Sequence, residues 1–541
     1  MLGLENLEII KQMQSEDMSV KEARNKLFSS EDRKKLPFQK PIHAPFWSLY
    51  LPFAMVTKPQ ARKLWLWGQS RKVHHWMRAL LEGKPLFAKD LNLGQKNNTD
   101  SELAVSSPAP KPQHAYYRKV RAQQIGQLEP LSTCPVTRDS LHCQSVVNAL
   151  ESKQLLVCGM GGSSIGIEAI EKVLQREEGK SHPKTVLYLS TTDPSHLDWF
   201  LSTQLQEKTT TLVLISKSGS TWEVHRILEH VLSKKTPAFF EEIIAITEEG
   251  SKLWNHPSVT KQIPMHPGIG GRFSSSAILG EFLISYKFGK RCYEEFLEGA
   301  CDMDAHALRD GPWENLPLSL ALVRLCHTVF RQQTALCIAP YIESLSGWTS
   351  HVQQLEMESM GKSVDLFGKI LPDQFSGPLI FGDTGPQCQH TYFQWIHQAL
   401  KKSPVEFIAQ VGHLKSSDID VDQLSHVFGQ MIALASGTEN KQNPHKQMEG
   451  SRSSWLLATE TMTAKSLGAL LALYEHTVAF ESFLLGVNAF DQEGVELGKK
   501  ISSVLHQHLE SDLLFSKIAP GEFLDTLDLD KLLNPTHKSS V

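Results

Sequence analysis

No charge of one sign dominates this chain. Its 55 Lys and Arg stand against 59 Asp and Glu, a net charge of −4 over 541 residues. With no basic excess and no long block of like charge, nothing points to nucleic acid or a membrane surface as a partner. Long apolar runs are also missing, and none approaches the ~20 residues needed to span a bilayer. The opening stretch, MLGLENLEIIKQMQSEDMSV, carries Glu5 and Glu8 where a secretory leader needs unbroken apolar residues. Cysteine is sparse: eight residues form no CxxC pair and no zinc spacing. That usage predicts reduced, mostly buried thiols in a cytoplasmic protein. Cys388, two residues before His390, reads as one of these rather than as a nucleophile. What is present is a 41% hydrophobic fraction in a chain too long for one core, so two or three domains are expected.

Residues 1 to about 92 read as helical and irregular, and the Pro-rich polar stretch from Gln95 to Gln113 reads as a surface loop or linker. From Gln154 the rhythm changes. Short β-rich runs (QLLVCG, TVLYLS, TLVLIS, EIIAIT) alternate with amphipathic helical stretches, which predicts a parallel sheet covered by helices. A second series follows, built on ALCIAPY, PLIFGD and VEFIAQV, and a long apolar helix, SLGALLALYEHTVAFESFLLGV, precedes the last polar tail. The expected fold is α/β, with two doubly wound parallel-sheet domains, a helical N-terminal extension and a C-terminal helical tail. The expected boundaries are 1–115 for the extension, 116–290 and 291–505 for the two domains, and 506–541 for the tail.

In such sheets ligands meet the loops beyond the carboxyl ends of the strands. The first such loop is Gly159-Met160-Gly161-Gly162-Ser163-Ser164-Ile165-Gly166. As a dinucleotide fingerprint it fails at Ser164. As a nucleophile elbow it fits, with Ser164 as the serine. As a phosphate cradle it needs only the glycines and Ser163, because glycine lets backbone approach an anion at a helix N-terminus. A tight turn without a ligand fits equally well. The second loop carries Ser216, Lys217, Ser218, Gly219, Ser220 and Thr221 before a helix beginning at Trp222-Glu223. Ser220 or Thr221 can cap that helix, with Glu223 completing the arrangement. One cap needs one hydroxyl, however, and four cluster here beside a lysine. A phosphate monoester accounts for them better.

Acid–base candidates lie further on. Gln354 and Glu358 are four apart and share a helix face, with Glu356 well round from it. His390 is read as beginning a helix after a strand loop, and Gln492 and Lys499 as seven apart on one helix face. Gly270-Gly271-Arg272 holds an arginine able to reach a buried anion. All of these are expected near strand-to-helix junctions or helix starts.

Two stretches carry a resemblance. GIGGRFSSSAILG resembles the Gly-Gly-Arg-aromatic-Ser signature of glucose-6-phosphate isomerases, and VNAFDQEGVELGKK is similar to that family's second signature. EMESMGK, QHTYFQWIHQ, SKSGSTWE, GMGGSSIG and STTDPSHL match further family segments, in order, from about 157 to 500. The resemblance implies two sugar-isomerase (SIS) domains and interconversion of glucose and fructose 6-phosphates in glycolysis and gluconeogenesis. It further implies that Glu358 moves the proton between C2 and C1 through a cis-enediol. His390 and Lys499 would assist ring opening, and Arg272 would steady the enediolate. Gly162, Ser163, Ser216, Lys217, Ser218 and Thr221 would hold phosphate and sugar, with Gln354 and Gln492 lining the site. No cofactor and no metal are implied, and the partner implied is a second copy of the chain, in a homodimer that receives His390 across the interface. The departures are Met360 for the family's usual Asn, Gln387 and Cys388 for Asn-Gly, Ser164 for Asp, and Gly219 for Phe. A non-catalytic SIS-type sugar-phosphate-binding regulator is the alternative. It would keep the phosphate loops and lose the acid–base set.

Overall fold

The computed structural model describes residues 41–51, 72–84, 112–123, 135–177, 183–311, 313–412 and 418–511, with Ala54, Val56, Gln60, Lys63, Leu66, Trp67 and Leu86 besides. Most of the expected N-terminal extension, and the tail beyond 511, lie outside these residues. The chain divides into two compact units, Met1–Ala489 and Phe490–Val541.

Among the described residues of the first unit, the earliest elements are an antiparallel hairpin, β1 (Ile42–Ala44) and β2 (Trp47–Tyr50). A five-stranded sheet follows, made of β3 (Gln154–Gly159), β4 (Thr185–Leu189), β5 (Thr210–Ile215), β6 (Ile243–Thr247) and β7 (Lys261–Pro264). Its order is β4-β3-β5-β6-β7 and every pairing is parallel. The second sheet contains β8 (Ala335–Pro340), β9 (Leu379–Gly382), β10 (Val405–Gln410) and β11 (Ser454–Thr459). Its order is β1-β2-β11-β10-β8-β9, parallel except where β2 meets β11 and β1 meets β2. Two helix-covered, mainly parallel sheets are the α/β arrangement that the alternating pattern predicts.

Consecutive residues of a strand point to opposite faces. In β3, Leu155 and Val157 face one way and Leu156 and Cys158 the other, and all four are fully buried. Both faces are therefore covered, which is why these strands read as continuous apolar runs. Leu156 and Cys158 pack with Leu212, Leu214 and Ala245 beneath the helices Pro194–Thr203 and Trp222–Lys234.

Four strands depart from the sequence reading. The hairpin β1–β2 lies where helical or irregular chain is expected, and it extends the second sheet instead. The edge strand β7 is short and half polar, so alternation does not reveal it. In β11 six buried residues run close to the start of the apolar helix Ala464–Leu485, and periodicity alone does not separate such a strand from a helix.

That helix is buried along nearly its whole length and packs closely on the helix Lys290–His306. A Cβ on Gly468 would stand 1.8 Å from the carbonyl oxygen of Phe296, so only glycine permits this approach. Charges are buried between these helices. Arg118 donates from Nε to Asp304 at 3.0 Å, from Nη1 to Ser276 at 3.1 Å, and also to Glu475. Burial alone would raise Asp304. Arg118 and His476 outweigh it and bring the carboxyl down to about 2. None of the thiols described forms a disulfide, and all but Cys301 are buried, as the sparse cysteine usage predicts. Arg118→Met is expected to destabilise by about 3–5 kcal/mol, because it strands two buried carboxyls. Urea unfolding checks this, and adding Asp304→Asn and Glu475→Gln to that variant should recover part of the loss.

Candidate active site

Strands β3 and β5 are neighbours, and the connections leaving them run to opposite sides of the sheet. That is the switch point at which a parallel sheet opens a crevice. The loop after β3 turns through Gly161, whose φ of 56° favours glycine, into a short 3₁₀ turn, Gly161–Ser163, and then the helix Ile165–Glu177. Gly162 lies against a second glycine loop. A Cβ on it would stand 2.3 Å from the carbonyl carbon of Gly271. Backbone touches backbone here, and the Ser274 hydroxyl joins the two loops, donating to the carbonyls of Gly271 at 2.7 Å and Gly162 at 3.4 Å.

The loop contact sets Arg272 in the crevice. Its guanidinium is buried and reaches across to the helix Trp348–Met360 and to Ala489. Nη1 donates to Glu358 Oε2 at 2.9 Å, Nε to the Ser359 hydroxyl at 2.9 Å, and Nη2 to the Ala489 carbonyl. Phe273 lies beneath it, 5.4 Å from the guanidinium, and is stacked in turn on His114 at 4.6 Å. Burial pushes that imidazole well below its usual range, and Arg118 pushes it further.

Glu358 is held from its other side by Gln354, whose Nε2 donates to Oε1 at 2.9 Å. The i, i+4 spacing on the helix Trp348–Met360 thus acts as the sequence predicts. Glu356 points the opposite way, into the core, also as predicted. The Arg272 side chain is only 1% exposed whereas that of Glu358 is 31% exposed, so a ligand reaches the carboxylate while the cation stays fixed. No donor among the described residues reaches Gln354 Oε1, which is buried.

After β5, the Ser216 hydroxyl meets that of Thr221 at 2.7 Å, and Ser218 meets Ser220 at 2.8 Å. Thr221 precedes the helix Trp222–Lys234 and makes no side-chain capping bond. Its hydroxyl turns back into the loop, so the capping arrangement with Glu223 does not form. Burial lowers Lys217 from its usual range, with Glu248 acting in the other direction. A half-buried lysine among hydroxyls suits an anion. Ser164 is buried, and its hydroxyl donates to the Gly161 carbonyl at 3.4 Å. No histidine among the described residues bonds it, so the nucleophile-elbow reading has no base.

Three expected positions are corrected. Glu358 lies in the last turn of its helix rather than near a helix start. There the Lys362 ammonium donates to its carbonyl at 2.9 Å. His390 lies at the end of the short helix Gly385–Thr391, not at its beginning. It is exposed, and its imidazole has no hydrogen-bond partner among the described residues. Gln492 precedes the 3₁₀ turn Glu493–Val495, while Lys499 sits on the helix Glu496–Ser511 with Glu496 at 2.8 Å, so the two do not share a helix face. Both belong to the second compact unit. The crevice of the first unit brings together Gly162, Arg272, Gln354 and Glu358.

The sequence pattern of the family described as Phosphoglucose isomerase matches residues 146–520. A glucose-6-phosphate isomerase of Chlamydia muridarum is 33% identical over 390 residues, covering 70% of this chain and 72% of the relative. The chain belongs to the phosphoglucose isomerase family.

A family member from Protochlamydia amoebophila, also named glucose-6-phosphate isomerase, is 35% identical over 361 residues, 65% of this chain and 66% of that one. Among solved structures, a glucose-6-phosphate isomerase from Chlamydia trachomatis superposes with a TM-score of 0.80 at 26% identity, covering 95% of this chain and 97% of that one. A Thermus thermophilus protein, TT0462, shares the fold at a TM-score of 0.61 and 19% identity, covering 85% and 99% of the two chains. Two of the departures from the family pattern lie in the core. Met360 is buried, and Gly377 packs so closely on it that a Cβ there would stand 2.5 Å from the methionine Cβ. Cys388 is buried and donates to the Asp383 carbonyl at 2.9 Å.

Sequence reasoning passed over Ser359 and Ser274. Ser359 stands next to Glu358 within EMESMGK, but nothing in that order of residues says that its hydroxyl receives Arg272. The loop contact is asymmetric and can be tested. A Cβ on Gly271 would meet nothing closer than Gly162 Cα at 3.6 Å. Gly162→Ala is therefore expected to destabilise by about 1–3 kcal/mol through overpacking, and Gly271→Ala to fall within about 0.5 kcal/mol of the parent. Thermal unfolding of the two variants checks the contrast, and equal losses would refute it.

Proposed function

We propose that this chain interconverts D-glucose 6-phosphate and D-fructose 6-phosphate, with Glu358 carrying a proton between C2 and C1 through a cis-enediol. The observation that carries the reading is the setting of Glu358, a part-exposed carboxylate held by Gln354 on one oxygen and Arg272 on the other. Abstracting a proton beside a carbonyl needs a positioned base and a fixed cation for the oxygen that gains charge. Arg272 supplies that cation without having to move, because Ser359 holds its Nε and the Ala489 carbonyl its Nη2. The electrons stay within the substrate, so the proton transfer needs no redox partner.

In this reading Ser216, Lys217, Ser218 and Thr221 hold the phosphate, with Gly162 and Ser163 beside it. Gln354 and Gln492 line the sugar, and His390 and Lys499 open the ring. The enzyme works in the cytoplasm. The two sheets correspond to SIS-type domains at 116–290 and 291–505. The strands β3–β7 and β8–β11 fall inside those limits, and the hairpin β1–β2 of the extension adds to the second sheet. Retention of the acid–base residues favours an enzyme over a non-catalytic sugar-phosphate-binding regulator.

Glu358→Gln keeps the shape of the side chain and removes its basicity. Turnover is expected to fall about 10²–10⁴-fold, with sugar-phosphate affinity within a few-fold of the parent. Exchange of the C2 proton with solvent decides the assignment, and undiminished exchange in the variant makes another residue the base.

The exposure of His390 suits a homodimer in which it completes the partner's site. When Glu358→Gln and His390→Ala chains are unfolded together and reassembled, one site of each mixed dimer carries both lesions and the other carries none. About a quarter of the parental activity should then return with random pairing. Confirmed mixed dimers without recovery would assign His390 to its own chain's site.

A further inference from the structure

Behind the helix that carries Glu358 lies a cluster of charge with no access to water. Arg324, from the helix Leu316–Leu325, faces three carboxyls: Glu406 on β10, Glu356 on the helix Trp348–Met360, and Glu481 on the helix Ala464–Leu485. All four residues are at most 1% exposed. Glu406 is the natural counter-ion. It receives Nε and Nη2 of Arg324 at 3.1 and 2.9 Å, Trp455 Nε1 at 2.8 Å, and the Tyr474 hydroxyl. That pair leaves two carboxyls over. Among the described residues, Glu356 receives a long contact from Arg324 Nη1, at 3.4 Å. Neither oxygen of Glu481 meets an N–H or O–H donor among the described residues. Yet the two carboxyls lie within hydrogen-bonding reach of each other. Two bare carboxylates in contact without water or a second cation are not stable in a protein interior.

We infer that Glu481 keeps its proton in the folded protein and donates it to Glu356, acting as a positioning residue for the helix that carries Glu358 and Ser359. Less than one helical turn connects this bond to the active site. Glu356 is anchored in the core, Glu358 emerges into the crevice two residues later, and Ser359 holds Arg272 from the same turn. The proton belongs on Glu481 because burial raises it well above the usual carboxyl range, the charges of Glu356 and Glu406 raise it further, and Arg324 only partly offsets them. Burial raises Glu356 as well, but Arg324 and the bond from Glu481 hold it back.

The positioning role rests on the isomerase reading, whereas the proton does not. Infrared spectroscopy of the full chain at about pH 7 reads the proton without any activity. A carbonyl band of a protonated carboxylic acid is expected in the parent and is expected to be reduced in Glu481→Gln, the remainder coming from Glu475, which burial raises to about 7. Glu481→Gln keeps a neutral donor, so kcat should stay within about twofold. Glu481→Met fills similar space without a donor, and kcat should fall about tenfold with KM within about twofold, the signature of a displaced base rather than lost binding. Stability gives a third readout. A carboxyl whose pKa is raised on folding binds its proton more tightly in the folded state, so its contribution is lost as pH rises above the ordinary carboxyl range. Between about pH 6 and about pH 9 the melting temperature of the parent should fall more steeply than that of Glu481→Gln. The inference is overturned by a parent with no carboxylic acid band, by a band undiminished in Glu481→Gln, or by Glu481→Gln losing turnover as Glu481→Met does. The infrared result stands even if the methionine variant does not fold.

Discussion

The guanidinium of Arg272 ties distant stretches of chain to one point. Its own loop rests on Gly162 from the first sheet, its Nε and Nη1 reach the helix that follows β8, and its Nη2 reaches the carbonyl of Ala489 beyond the long buried helix. A planar fork with fixed donor directions satisfies all of these at once, which a lysine ammonium does not. Because the cation is buried and fully engaged, it cannot swing away from the carboxylate it faces. The pairing of Arg272 with Glu358 is thus set by the packing of the two glycine loops on each other and by the helix Trp348–Met360, and Glu358 keeps the more exposed side of it.

Packing of that closeness depends on positions where side chains are absent. Gly162 lets two loops meet backbone to backbone, and Gly468 lets two helices cross at a distance no Cβ allows. The long helix Ala464–Leu485 then carries polar groups deep into the core. Glu475 and His476 answer Arg118 and Asp304 on one side of it, while Tyr474 and Glu481 turn toward Arg324 and its carboxyls. Such groups are costly to bury unless each is matched. Their matching specifies how the helices are set against one another, and the placement of Glu358 and Ser359 follows from that setting.

Much of this was legible from residue order. The alternation of apolar runs and amphipathic stretches marks the parallel strands, because strands buried on both faces leave no polar positions. The shared face of Gln354 and Glu358, and the turning of Glu356 away from it, follow from helix periodicity alone. The clustering of hydroxyls beyond β5 was also informative, since a single helix cap does not need four. Local rules failed where the decisive partner is remote in sequence. The hairpin β1–β2 is a strand pair because β11 offers it an edge, some 400 residues later. The Thr221 hydroxyl bonds Ser216 rather than its own helix, and a capping pattern gives no warning of that.

Residue order by itself therefore determined the fold class, the family, the two glycine-bearing loops and the chemical kinds of group available for catalysis. Those depend on periodicity, on turn chemistry and on short motifs, all of which act within a few residues. Tertiary structure decided the rest: that Gly162 and Gly271 touch, that Ser359 and Ala489 hold Arg272, that Glu358 sits at a helix end with one face open, and that Glu481 is buried beside the carboxyl of Glu356 as well as Arg324. Each of these is a contact between segments far apart in the chain. Its energy depends on burial and on which charges are left unmatched, and neither exists until the sheets and helices have packed.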